Sequence, residues 1–136
     1  MPVLDTSLII DLIRHKPEAL RVLETIEMEG LTPATTSITI LELYRGAYLS
    51  PSPEKNLEEV EAITKHLIIE NINDETYRIF GALSARLRKE GKPVGDFDEL
   101  IAAIALGSDS EIVTRDHHFE GIPGLKVRRY SNVVYT

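Results

Sequence analysis

Short apolar runs alternate along this chain with longer stretches whose apolar residues recur every three to four positions. The runs at 2–4, 33–36, 67–72, 112–114 and 125–127 are too short for helices, so they read as strands. Leu8, Ile9, Leu12 and Ile13 share one face of a helix predicted over 6–14. Pro17 suits the opening turn of the next helix, which turns Leu20, Leu23 and Ile26 inward and ends at Gly30. Helices over 38–49 and 54–66 follow, separated by Ser50-Pro51-Ser52-Pro53. Asn73-Asp74 caps a helix reaching about residue 89, with Tyr77, Phe80, Leu83, Ser84 and Leu87 on its inner side. Gly91 and Pro93 stop it. After its first turn, the stretch 96–106 is apolar nearly all round, as a buried helix is. Its Ala102, Ala103 and Ala105 allow close packing.

Strands alternating with helices specify an α/β fold with a mainly parallel sheet of four to five short strands. No internal repeat is present. The proline cluster at 51–53 is a turn, because too little chain lies on either side for two cores. The 136 residues are therefore expected to form one domain spanning 1–136.

Composition narrows the chemistry. There is no cysteine, which removes disulfides and thiolate-bound metals. No apolar run nears the ~20 residues of a membrane span, and Val3-Leu4 followed by Asp5 does not read as a secretory leader. The expected setting is the cytoplasm, with no membrane partner. The net charge of −7 opposes nucleic-acid binding, which favours a basic surface. Basic residues do cluster, at Arg14-His15-Lys16, at Arg86, Arg88, Lys89 and Lys92, and at Lys126, Arg128 and Arg129.

Part of the acid excess stands in recurring settings. Asp5 follows the first strand and Asp116 follows Ile112-Val113-Thr114. Glu42 lies among Ile38, Ile40, Leu41, Leu43 and Tyr44, and Asp98 falls in the first turn of the apolar helix. In parallel sheets, ligands bind outside the carboxyl ends of the strands, where Asp5 and Asp116 fall. Two carboxylates ~4 Å apart repel by roughly 4 kcal/mol at an effective dielectric of ~20, so a gathering of four implies a hard cation. Mg²⁺ or Mn²⁺ on such oxygens polarises a phosphate and acidifies a water, which suffices to hydrolyse a phosphodiester.

Each acid also has a plainer role open to it. Asp5 suits the cap of the first helix. Asp96 and Glu99 have capping-box spacing. Asp98 favours a helix N-terminus by charge alone. Glu42 has Arg45 three residues on as a surface partner, and Asp116 is a common turn residue. Thr6, Ser7 and Thr114 suit either metal waters and phosphate or helix caps. His117 and His118 are adjacent and rarely face one ion together. No nucleophile-elbow serine or glycine-rich phosphate loop is present.

Four blocks, Val3-Leu4-Asp5-Thr6-Ser7, Glu42-Leu43-Tyr44-Arg45-Gly46-Ala47, Asp98-Glu99-Leu100-Ile101-Ala102-Ala103 and Val113-Thr114-Arg115-Asp116-His117-His118-Phe119, together resemble the PIN-domain family, more narrowly the VapC toxins of toxin–antitoxin pairs. The resemblance covers nearly the whole chain. It implies an α/β/α sandwich and a Mg²⁺- or Mn²⁺-dependent endoribonuclease whose metal site is Asp5, Glu42, Asp98 and Asp116, with Asp96 as an extra acid. Asp5 and Asp98 are then the expected direct ligands. Thr6, Thr114, Arg45 and Arg115 are expected at the RNA, with Arg86 a further phosphate contact. A homodimer, a VapB-type antitoxin that threads a segment into the active-site groove, and DNA contact only through that antitoxin are also implied. An RNA-processing nuclease and a non-catalytic binding module are the alternative readings.

Overall fold

A computed structural model describes residues 1–131 of the chain. Its centre is a five-stranded, wholly parallel sheet: β1 (Val3–Leu4), β2 (Ala34–Thr36), β3 (Ile68–Glu70), β4 (Glu111–Thr114) and β5 (Lys126–Arg129), in the spatial order β3-β2-β1-β4-β5. Six helices connect them: α1 (Thr6–Ile13), α2 (Pro17–Met28), α3 (Ser37–Leu49), α4 (Pro53–Thr64), α5 (Asp74–Lys89) and α6 (Asp96–Gly107). Val3 pairs with both Ala34 and Ile112, and Leu4 with Val113. The two-residue β1 is thus the middle of the sheet.

Side-chain alternation in the strands divides the core into two layers. Val3 and Ile112 face one way, packing with Leu83 and Leu87 of α5 and with Ile101, Ala102 and Ala105 of α6. Leu4 and Val113 face the other way, toward Leu8, Ile9 and Leu12 of α1, Ile26 of α2, Leu43 of α3 and Val60 of α4. This is the α/β/α sandwich. The irregular stretch 115–125 between β4 and β5 is tied down by the buried Phe119 and Ile122.

Two helix faces differ from the sequence expectation. Tyr77 is 66% exposed. The buried stripe of α5 is Thr76, Leu83, Ser84 and Leu87, and Tyr77 stands about 100° round the helix from Thr76. On α2 the small Ala19 and Ile26 are buried, whereas Leu20 is 43% exposed. Val22 and Leu23 are partly covered between them, so the buried stripe is centred on 19, 22–23 and 26 and leaves Leu20 at its margin.

Candidate active site

The chain leaves β1 for one face of the sheet and reaches neighbouring β4 from the other. That reversal opens a crevice at the carboxyl ends of β1 and β4. Asp5, the residue after β1, donates its N–H to the Val113 carbonyl at 3.2 Å. Its carboxylate folds back over the N-terminus of α1 and accepts from Leu8 N at 2.9 Å. Ser7 Oγ donates to both carboxylate oxygens at 2.9 and 3.0 Å, and Thr114 Oγ1 donates to Oδ2. Asp5 is therefore the helix cap and also the floor of the crevice.

The other three acids converge from separate elements. Glu42 projects from α3, whose start is capped by Thr36 Oγ1 accepting from Thr39 N. Thr6 Oγ1 donates to Glu42 Oε1 at 2.8 Å and fixes its direction. Asp98 lies in the first turn of α6. That helix is capped by Gly95, at φ +126° and ψ 146°, a conformation open essentially to glycine alone. The buried Glu99 Oε2 accepts from the N–H groups of Val94 and Gly95 and locks the turn. Asp116 follows β4, and its N–H donates to Thr114 Oγ1 at 3.0 Å. All four carboxylates line one cleft of about 280 Å³, with Arg115 and His118 at its wall.

Electrostatics disfavours charge on three of these acids. Burial pushes Asp5 up to about 6, against hydrogen bonds from Thr114, Leu8 and Ser7 that pull it down, and Asp116 adds to the rise. Glu42 is raised by burial and by Asp98, against its bond from Thr6. Asp98 is raised by burial and by Asp116, with His118 opposing. Each repels a neighbour from the same set. A divalent ion relieves that repulsion, and an all-oxygen donor set in a chain without cysteine fits Mg²⁺ or Mn²⁺. Among the described residues, no three His, Asp or Glu side chains by themselves enclose an ion. The cleft is an open site, the kind that suits Mg²⁺, which keeps several of its waters.

The remaining expected residues separate into those at the cleft and those away from it. Asp96 turns outward and pairs with Arg88 at 3.3 Å, so it is neither the cap of α6 nor among the gathered acids. Thr6 lines the cleft, whereas Thr114 is fully buried behind Asp5, and their hydroxyl protons are committed to Glu42 and Asp5. Arg45 is stacked over Phe97, 5.1 Å from the ring centroid, outside the cleft lining. Arg86 pairs with Glu90 at 3.0 Å on the surface. The two histidines diverge. His118 Nδ1 lies 3.5 Å from Asp98 Oδ2, whereas His117 engages Glu120 and Arg129. Sequence reading missed Asp11, which is wholly buried and binds Arg115 and Tyr130. The available signal was an acid on the apolar face of α1, between Leu8 and Leu12.

Comparison with known proteins identifies the family to which this fold belongs. The PIN domain family matches residues 3–125. The tRNA(fMet)-specific endonuclease VapC of Salmonella typhimurium is 34% identical over 126 residues, 92% of this chain and 94% of that protein. Ribonuclease VapC2 of Haemophilus influenzae is 31% identical over 129 residues, 94% of this chain and 96% of its own. Among solved structures, VapBC2 from Rickettsia felis bound to a DNA fragment from its promoter superposes with a TM-score of 0.89 at 26% identity, covering 96% of this chain and 98% of that one. DNA-bound VapBC from Salmonella typhimurium gives 0.85 at 33% identity, covering 94% and 96%. The chain belongs to the PIN-domain family, among the VapC-type ribonucleases of toxin–antitoxin systems.

Proposed function

We propose that Asp5, Glu42, Asp98 and Asp116 hold Mg²⁺ or Mn²⁺ and that RNA is cut at this cleft. The observation that carries the reading is Asp5. The residue is 3% exposed, its charge is disfavoured, and it lies beside a second acid on the floor of an open cleft. Asp5 and Asp98 are the direct ligands, and Glu42 and Asp116 orient water. Bound there, the ion supplies Lewis acidity to the scissile phosphate and acidifies a water. The chain's own residues do the positioning. Thr114 and Ser7 hold the Asp5 carboxylate, Thr6 aims Glu42, and the Gly95–Glu99 turn sets the direction of Asp98.

The partner in this reading is a VapB-type antitoxin that inhibits by lying in the active-site groove. A second groove, lined by Ile10, Ile13, Leu43, Ala47 and Val60, runs from Glu42 and offers apolar surface continuous with the cleft. DNA is reached only through that antitoxin. A homodimer is part of the same proposal, and light scattering of the purified chain tests it.

The deciding experiment is digestion of total RNA, with initiator transfer RNA as a separate substrate because a relative's name specifies it. Parent protein and Asp98→Asn are compared in Mn²⁺ and in EDTA. Discrete cuts that need Mn²⁺ and vanish in the variant support the reading. Mn²⁺ binding without any cutting, or cutting that persists in EDTA, overturns it.

A further inference from the structure

Beneath the acid cleft lies a charged group that the metal site does not use. Asp11, wholly buried on α1, accepts from Arg115 Nη1 at 2.8 and 3.1 Å and from the Tyr130 hydroxyl at 2.8 Å. Arg115 follows β4. Tyr130 follows β5 and donates its N–H to the Thr114 carbonyl at 3.1 Å. One helix and the ends of two strands therefore meet at a single carboxylate.

The way Arg115 is held matters. An arginine–carboxylate pair commonly forms two parallel bonds from two nitrogens. Here Nη1 alone makes both contacts, and among the described residues nothing accepts from Nη2. Nε stands 4.0 Å from Asp116 Oδ1, too far for a hydrogen bond. Arg115 nevertheless lines the cleft, with 30% of its side chain exposed. A free arginine beside Asp116 would collapse onto it. The bonds to Asp11 restrain the guanidinium at its far corner and leave an edge of N–H donors available.

The cleft needs such an edge. It offers four carboxylates to a polyanion, and among the described residues Arg115 is the sole lysine or arginine lining it. We infer that Asp11 and Tyr130 are positioning residues that hold Arg115 so that its free edge takes a phosphate of the bound RNA. This rests on the nuclease reading above and adds the group that receives the substrate's charge.

The test uses Asp11→Leu combined with Arg115→Met, which removes both charges and orphans neither. Three quantities are read: the rise in Tm with Mn²⁺, kcat and KM on a 5′-labelled RNA carrying a site mapped in the total-RNA digest, and the slope of log(kcat/KM) against log[KCl]. The Tm rise should persist, KM should increase tenfold or more with a smaller change in kcat, and the slope should become shallower by about 0.7, one single-strand phosphate contact. Tyr130→Phe keeps the ion pair, so kcat/KM should fall several-fold at the parent's slope. If the paired variant does not fold, Arg115→Gln, which still donates to Asp11 without charge, is read for the same slope. The parent's KM and slope in the charge-free variant would reduce Arg115 to a structural clamp and overturn the inference. A parent that cuts no RNA would instead bring down the nuclease reading, and this inference with it.

Discussion

A carboxylate that caps a helix and also lies on the floor of an acid-lined cleft is pulled two ways. Burial holds Asp5 near 6, against 3.8 in the open chain. The native state therefore binds a proton that the unfolded state has lost between about pH 4 and pH 6, and stability falls as pH rises through that window. The difference amounts to roughly 3 kcal/mol by pH 7 in EDTA. Asp5→Asn keeps an oxygen for Leu8 N–H and removes the charge. It should flatten this pH dependence in urea melts, be at least as stable as the parent at pH 7.5 in EDTA, and have no nuclease activity; a variant clearly less stable at pH 7.5 would mean that capping outweighs desolvation. Arg115→Ala should behave oppositely. It leaves the buried Asp11 unpaired and should cost roughly 3–5 kcal/mol, most of it recovered by adding Asp11→Leu. The four acids were legible in the chain because each stands at the end of a strand or within a recognisable helix pattern. Asp11 was not, since a lone acid within an apolar stripe reveals no partner 104 residues away.

At the scale of elements, the helix N-termini set the geometry of the cleft. Gly95 is the sharpest case. A Cβ there would meet nothing within 4 Å, so the φ of +126° is its only constraint. Gly95→Ala should lose roughly 1–3 kcal/mol through backbone strain, and it should weaken Mn²⁺ binding in calorimetric titration because Asp98 rides on the same turn. Unchanged Mn²⁺ affinity would show that α6 holds Asp98 without its cap. Element boundaries followed well from periodicity and punctuation: α5 begins at Asp74 after its Asn73 cap, and α6 begins at Asp96. The capping-box spacing of Asp96 and Glu99 misled because glycine at 95 takes the cap position, and Glu99 serves that residue. Faces were harder to read. Tyr77 and Leu20 sit at the margins of their stripes, where whether a side chain is covered depends on how closely the neighbouring layer approaches.

For the whole molecule, the proposed metal site predicts an ion that binds the folded form alone, because no unfolded chain gathers these acids. Mn²⁺ at a hundred times its Kd should add about 2.7 kcal/mol to stability, visible as a rise in Tm that EDTA reverses; no shift at millimolar Mn²⁺ would count against the site. The parallel α/β class was legible because strands and helices alternate throughout. The order β3-β2-β1-β4-β5 was not, since nothing local in α5 and α6 says that β4 returns to lie against β1. That return has a further consequence. Bonds from Thr114 to Asp5 and from Arg115 and Tyr130 to Asp11 span 109, 104 and 119 residues. Chains emerge at about 5–20 residues per second and fold as their segments appear. Until residue 116 has left the ribosome, β1 lacks its β4 neighbour and the cleft lacks its last acid. The proposed site therefore cannot assemble from the first hundred residues alone, whatever else of the fold has formed by then.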